Sequence, residues 1–143
     1  MKIVDANILL YAVNQDSAHH AKVRTWWEAA LNGDQSIGLP WAVILAFLRL
    51  STHRAAFAQP LTAKQAADKV SAWLACPVVT AIGETDDHWP TLQRLLAQSG
   101  TAANLTTDAH LAALAISRDA VLVSCDNDFR RFAELRWENP LAA

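Results

Sequence analysis

An α/β sandwich built around a mostly parallel sheet is the fold class predicted by this sequence of 143 residues. Three observations carry that prediction. Short apolar runs rich in β-branched residues alternate with longer stretches of helical periodicity. The runs read as buried on both faces, the mark of parallel strands covered by helices on either side. Two of them, "KIV" and "VLVSC", end directly in an aspartate, and in sheets of this kind ligands bind beyond the carboxyl ends of the strands.

Lys2 to Val4 opens the chain as a strand, and a helical turn follows from Ile8. His19 to Leu31 has helical spacing and is stopped by Asn32-Gly33-Asp34. Ser36 to Leu39 is a short strand. Pro40, whose fixed φ suits the first turn of a helix, leads into "WAVILAFLRLST". Thr62 is placed to cap the helix in "LTAKQAADKVSAWLA". "CPVVTAI" reads as a strand weakened at its start by Pro77. Asp86 to Gln98 is helical and ends at Gly100. "TTDAHLAALAISRD" is a helix with Thr106 or Thr107 as its cap. "AVLVSC" is a strong strand and "LRWEN" a weaker last one. No repeat, low-complexity tract or linker interrupts this order, so residues 1–143 read as one domain.

Composition narrows the class. Hydrophobic residues make up 52% and charged residues 18%, which is a folded rather than a disordered balance. Twelve basic residues against fourteen acidic ones give a formal net charge of -2, so any nucleic-acid contact needs a local patch rather than an overall basic surface. Cys76 and Cys125 show neither metal-type spacing nor a disulfide framework. The N-terminal residues lack the pattern of a signal peptide, and no apolar stretch reaches the roughly 18 residues of a membrane span. A cytoplasmic protein with no membrane association is the expectation.

The chemistry lies in the acids. Asp5 follows a buried strand at once, and a carboxylate there is costly unless it is paired, hydrogen-bonded or metal-bound. It can cap the helical turn that follows or face a ligand. Asp126 and Asp128 follow the best strand and read either as a polar turn or as a second set of acids on the rim that carries Asp5. Asp108 falls in the first turn of its helix, where the helix dipole favours an acid and from where it can face the same strand ends. Acids gathered on one rim repel each other unless a cation joins them. Oxygen ligands without Cys or clustered His select Mg²⁺ or Mn²⁺ over zinc, and such ions suit phosphodiester hydrolysis.

"VDANILLYA", "TDAHLAALA" and "VSCDNDF" resemble the PIN-domain ribonucleases. "LPWAVILAFLRLSTHRAAFAQPLT" and the ending "FAELRWENPL" are similar to the VapC toxins of bacterial toxin–antitoxin pairs. The motifs run in order along nearly the whole chain. The resemblance implies a PIN-like three-layer sandwich and a Mg²⁺-dependent endoribonuclease, with Mn²⁺ as substitute, that hydrolyses RNA of the tRNA or ribosomal class. It further implies a VapB-like antitoxin as partner and a homodimer. By the same resemblance Asp5, Asp108 and Asp126 are the metal ligands, and Asp128 is a further ligand or a neighbour that supports them. Asn7 orients Asp5 and, with Arg49, serves the substrate side of the site.

One position departs from the pattern. Many PIN domains carry a glutamate three residues before the arginine that is here Arg49, and this chain has Ala46 instead. Either the remaining acids suffice, or Arg49 serves the RNA phosphate, or activity is weakened. The departure leaves a catalytically impaired binding module as an alternative. A phosphatase of the haloacid dehalogenase type is a further one, opposed by Asn7 where that family has a second aspartate and by the lack of a lysine ahead of Asp126.

Outside the acids, Arg49, His53 and Arg54 form a basic group that is either a solvated face or a contact for RNA or an antitoxin. His19 and His20 read as a helix start, and His110 as helix surface near the site. Core or groove packing is the expectation for Trp26, Trp27, Trp73 and Trp41, with base stacking as the alternative for Trp41. Trp137 is expected to close the core by the last strand.

Overall fold

A computed structural model describes residues 1–100 and 102–142 of the chain. Among these, β1 (Lys2–Val4), β2 (Ile37–Pro40), β3 (Val79–Ile82), β4 (Val121–Val123) and β5 (Trp137–Glu138) form one sheet. The strand order is β3-β2-β1-β4-β5, and every pairing is parallel. Six α-helices connect and flank the strands: α1 (Ala6–Val13), α2 (His20–Leu31), α3 (Trp41–Ser51), α4 (Ala63–Leu74), α5 (His88–Ser99) and α6 (Thr106–Ser117). Helices α1 to α4 pack in one group and α5 packs on α6. Right-handed crossovers assign such groups to opposite faces of a parallel sheet. None of the helices is long and apolar enough to cross a membrane among the described residues.

The core follows from the apolar runs. Ile3, Val4, Leu39, Leu122 and Val123 are fully buried at the centre of the sheet. Gly38 lets β2 lie close to its neighbours, since a Cβ there would come within 2.9 Å of Ile82 Cδ1. Trp27 and Phe47 both meet Trp73 edge-on, at centroid distances of 5.8 and 4.9 Å, so the helix tryptophans at 27 and 73 do pack inward. Thr62 caps α4 with a full capping box, its hydroxyl accepting from Gln65 N at 3.1 Å while Gln65 Oε1 accepts from Thr62 N at 2.9 Å. Gly100 ends α5 in the left-handed conformation, φ 72°.

Several boundaries differ from expectation. Pro40 ends β2 with extended backbone and α3 starts at Trp41. Helix α1 begins two residues before Ile8, because Asp5 caps it. Neither Thr106 nor Thr107 caps α6. The chain enters that helix through a 3-10 turn at Ala103–Leu105, and Leu105 already has helical backbone, so neither threonine occupies the capping position. Trp41 is not in the core: it is 54% exposed at the start of α3, on the outward side of a helix whose Val43, Ile44 and Phe47 point inward.

Candidate metal centre

The strand order places the site. The connections from β1 run one way to β2 and β3, while β4 and β5 lie on its other side. The β1–β4 pair is thus the topological switch point, where the loops beyond the strand ends diverge and leave a crevice. Both loops carry acids. Asp5 leaves β1 as the N-cap of α1, and its Oδ1 accepts from Ala6 N at 2.7 Å. Its backbone N–H donates to Val123 O of β4 at 2.9 Å, so the parallel ladder continues to the acid itself.

Ser124, fully buried directly after β4, ties the two loops together. Its hydroxyl donates to Asp5 Oδ2 at 2.7 Å. Ser124 Oγ in turn accepts from Asn7 Nδ2 at 3.1 Å and from Asp126 N at 3.0 Å. Asn7 Nδ2 also reaches Asp5 Oδ2 at 3.3 Å, and Asn7 Oδ1 accepts from Cys125 N at 3.1 Å. Asp126 then caps the 3-10 turn Asn127–Arg131, its Oδ1 accepting from Asp128 N at 2.8 Å. Trp137 Nε1 donates to Ser124 O at 3.0 Å, so β5 braces the serine from behind.

Onto this frame α6 brings Asp108 in its first turn. Asp108, Asp126 and Asp128 each offer a carboxylate oxygen within 4.8 Å of the others. The electrostatics register the crowding. Burial, then the charges of Asp126, Asp5 and Asp128, push the Asp108 carboxyl up to about 6, against a partial offset from Arg131. Burial also raises Asp5, with Asp126 adding to it, while the bonds from Ser124 and Ala6 pull the other way. The Cys125 thiol is pushed up to about 11 by burial and by the charge of Asp5, which disfavours a free thiolate there at neutral pH.

These residues suit a hard divalent cation. The donors are all carboxylate oxygens, three of them converge, and a cation would relieve their mutual repulsion. The chain could hold a metal ion at this point.

The sequence-predicted residues separate into two groups. Asp108, Asp126 and Asp128 form the converging set. Asp5 stands beside it, close enough to raise Asp108, with both its oxygens engaged by the protein. Asn7 lies in the Asp5–Ser124 network. Arg49 lies exposed near the end of α3 and forms no ion pair with these acids among the described residues. Ala46 is half-buried, and α3 carries no acid at all.

Sequence reasoning missed Ser124, Arg131 and a histidine pair. The signal for Ser124 was a lone hydroxyl between an apolar strand and an acid. Arg131 stands three residues after Asp128, and the guanidinium is turned back on it. His110, expected as helix surface, is half-buried and shares a 2.9 Å hydrogen bond with His88 of α5; residues 22 apart gave no local signal.

The PIN domain family profile matches residues 2–135. Ribonuclease VapC37 of Mycobacterium tuberculosis is 47% identical over 142 residues, which is 99% of each chain. Ribonuclease VapC33 of the same organism is 40% identical over 141 residues, again 99% of each. Among solved structures, VapBC2 from Rickettsia felis, bound to a DNA fragment from its promoter, superimposes with a TM-score of 0.71 at 21% identity, over 96% of this chain and 97% of that one. VapC20 of Mycobacterium tuberculosis, a Sarcin-Ricin loop cleaving toxin, gives 0.68 at 18% identity, over 95% and 99%. At those identities the structural likeness speaks for the fold.

Proposed function

The chain belongs to the PIN-domain family, among the VapC ribonucleases of toxin–antitoxin systems, and from that premise we propose that it is a cytoplasmic, Mg²⁺-dependent endoribonuclease, with Mn²⁺ as substitute. The observation that carries the metal dependence is the convergence of Asp108, Asp126 and Asp128 within 4.8 Å at the switch point of the sheet. These three carboxylates would hold the ion, and Asp5 is the remaining acid of the set. When bound, a divalent ion of this kind activates water and stabilises the charge that develops on the phosphoryl group of the RNA.

The chain's own residues supply the order. Ser124 and Ala6 donate to Asp5 and favour its ionised form against burial. Asn7 fixes the same carboxylate and anchors Cys125 N, which sets the path of the loop toward Asp126. Asp126 holds the turn that presents Asp128. Held in this way, Asp5, Asp126 and the turn that carries Asp128 are oriented before an ion arrives.

The substrate reading is RNA of the tRNA or ribosomal class, supported by VapC20, whose described target is the Sarcin-Ricin loop. A VapB-like antitoxin as partner is supported by the VapBC complexes among the structural neighbours. The homodimer reading is supported by Trp41 and Leu45, one turn apart on α3 and 54% and 60% exposed, which offer apolar area to a second copy. Asp5→Asn tests the enzyme: metal-dependent RNA cleavage is lost while circular dichroism stays unchanged. Full activity in that variant sinks the proposal.

Ala46 favours one other reading, an impaired binding module, because α3 lacks the expected acid. Calorimetry with Mg²⁺ and Mn²⁺ separates the two: absence of binding favours the module.

A further inference from the structure

Arg131 closes the turn that carries Asp128, and its side chain folds back over it. Nε donates to Asp128 O at 3.2 Å. Nη2 stands 4.0 Å from Asp128 Oδ1, which is an ion pair without a hydrogen bond. The positive charge also reaches Asp108, where it acts against the three neighbouring acids. The guanidinium therefore sits at the edge of the converging carboxylates, with its side chain 41% exposed.

The neighbouring basic residues are placed differently. Arg130 lies over the Trp137 ring, 5.8 Å from its centroid, and Arg49 forms no ion pair with the acids among the described residues. Arg131 alone of these three is turned to the acid cluster.

Its donors are only partly used. A guanidinium has five N–H groups in a planar fork, and Nε takes one of them to the backbone carbonyl. That anchor tethers the guanidinium beside the turn and leaves the Nη groups free to meet a bidentate oxygen partner. Asp128 is too distant from Nη2 to fill this role. Once a cation offsets part of the carboxylate charge, their hold on the guanidinium weakens further, and the fork faces whatever anion approaches the rim. A phosphodiester has the matching geometry and charge. The four acids, formally -4, also outweigh a divalent ion, so an anionic strand needs a fixed positive group beside the metal to approach.

We propose that Arg131 is a phosphate-binding residue of this site, receiving the non-bridging oxygens of the RNA phosphodiester at the acidic rim. This rests on the nuclease reading above.

Two measurements test it. The first is fluorescence anisotropy with a labelled single-stranded RNA and Mg²⁺, with Asp108→Asn as background to suppress cleavage. Adding Arg131→Gln lowers RNA affinity about tenfold and flattens the slope of log K against log salt by about 0.7, one phosphate contact on a single strand. Arg131→Lys keeps the salt slope. The second is cleavage together with Mn²⁺ calorimetry in the otherwise unaltered chain. Arg131→Gln lowers kcat/KM by about 100-fold, Arg131→Lys recovers part of it, and affinity for Mn²⁺ alone stays within about threefold or tightens. An unchanged salt slope overturns the assignment. So does a loss of cleavage that saturating Mn²⁺ fully restores, since Arg131 would then be a prop of the acid cluster. If the unaltered chain cuts no RNA while Arg131→Gln still lowers affinity and slope, the nuclease reading fails and the phosphate contact stands.

Discussion

The Ser124 hydroxyl donates to Asp5 Oδ2 at 2.7 Å, a bond that spans 119 residues of sequence and joins the ends of β4 and β1. Through it the loop after one strand fixes the acid that ends the other. Ser124 also accepts from Asp126 N, so one buried oxygen sets the spacing of two acids.

Ser124→Ala therefore acts on both stability and chemistry. It leaves a partly buried carboxylate without its hydroxyl donor and an Asp126 N–H without its acceptor. A hydrogen bond to a charged group is worth about 2 kcal/mol, and urea denaturation of the metal-free protein should report a loss of that order. RNA cleavage falls with it by at least about tenfold, because Asp5 is no longer held.

The pH dependence follows from Asp108. Its carboxyl lies at about 6 in the folded chain against 3.8 as the ordinary value. The folded state then binds more protons than the unfolded one between those values, so stability falls as pH rises. Its contribution is fully present below 3.8 and is lost as pH passes through 6. Asp5, also raised, acts in the same direction. Asp108→Asn should raise the stability of the metal-free protein at pH 7 by about 1 kcal/mol after solvent screening, and should flatten its denaturation midpoint across the acid range. Protons compete with metal at the same oxygens, so Mn²⁺ affinity in the unaltered chain rises from pH 5 to pH 7, as calorimetry can follow.

Ala46→Glu tests whether the site is complete. The converging acids come from α6 and from the turn after β4, and none of them depends on α3. Cleavage should change by less than about threefold, the small effect expected of a substitution outside the ligand set. A large rise would mean that the native site lacks a ligand.

Trp41→Ser and Leu45→Glu test the exposed face of α3. Both side chains are more than half exposed, so each change should cost the monomer no more than about 0.5 kcal/mol. If a second copy covers this face, Leu45→Glu shifts sedimentation from dimer to monomer. Unchanged sedimentation of a dimer would place the interface elsewhere.

The fold was legible because its strands are continuous apolar runs and its helices carry clear caps and stops, such as Thr62 and Gly100. What failed were details set by neighbours in space. Thr106 and Thr107 looked like caps, but the preceding 3-10 turn starts the helix before them. Trp41 looked like core by residue type, yet the inward face of α3 is filled by Val43, Ile44 and Phe47. In the site, the acids at strand and helix ends could be named from sequence. Which three converge depends on how the turn after Asp126 folds, and that turn is set by Ser124 and by the cap from Asp126 to Asp128 N. The roles of Ser124 and Arg131 are tertiary and leave little trace in residue order.

If acids on this rim cut RNA with a divalent cation, cleavage of single-stranded RNA should vanish in EDTA, return when Mg²⁺ or Mn²⁺ is restored, and stay absent at every metal concentration in Asp126→Asn. Cleavage that persists in EDTA, or that survives unchanged in Asp126→Asn, would show that neither the cation nor this rim of acids does the cutting.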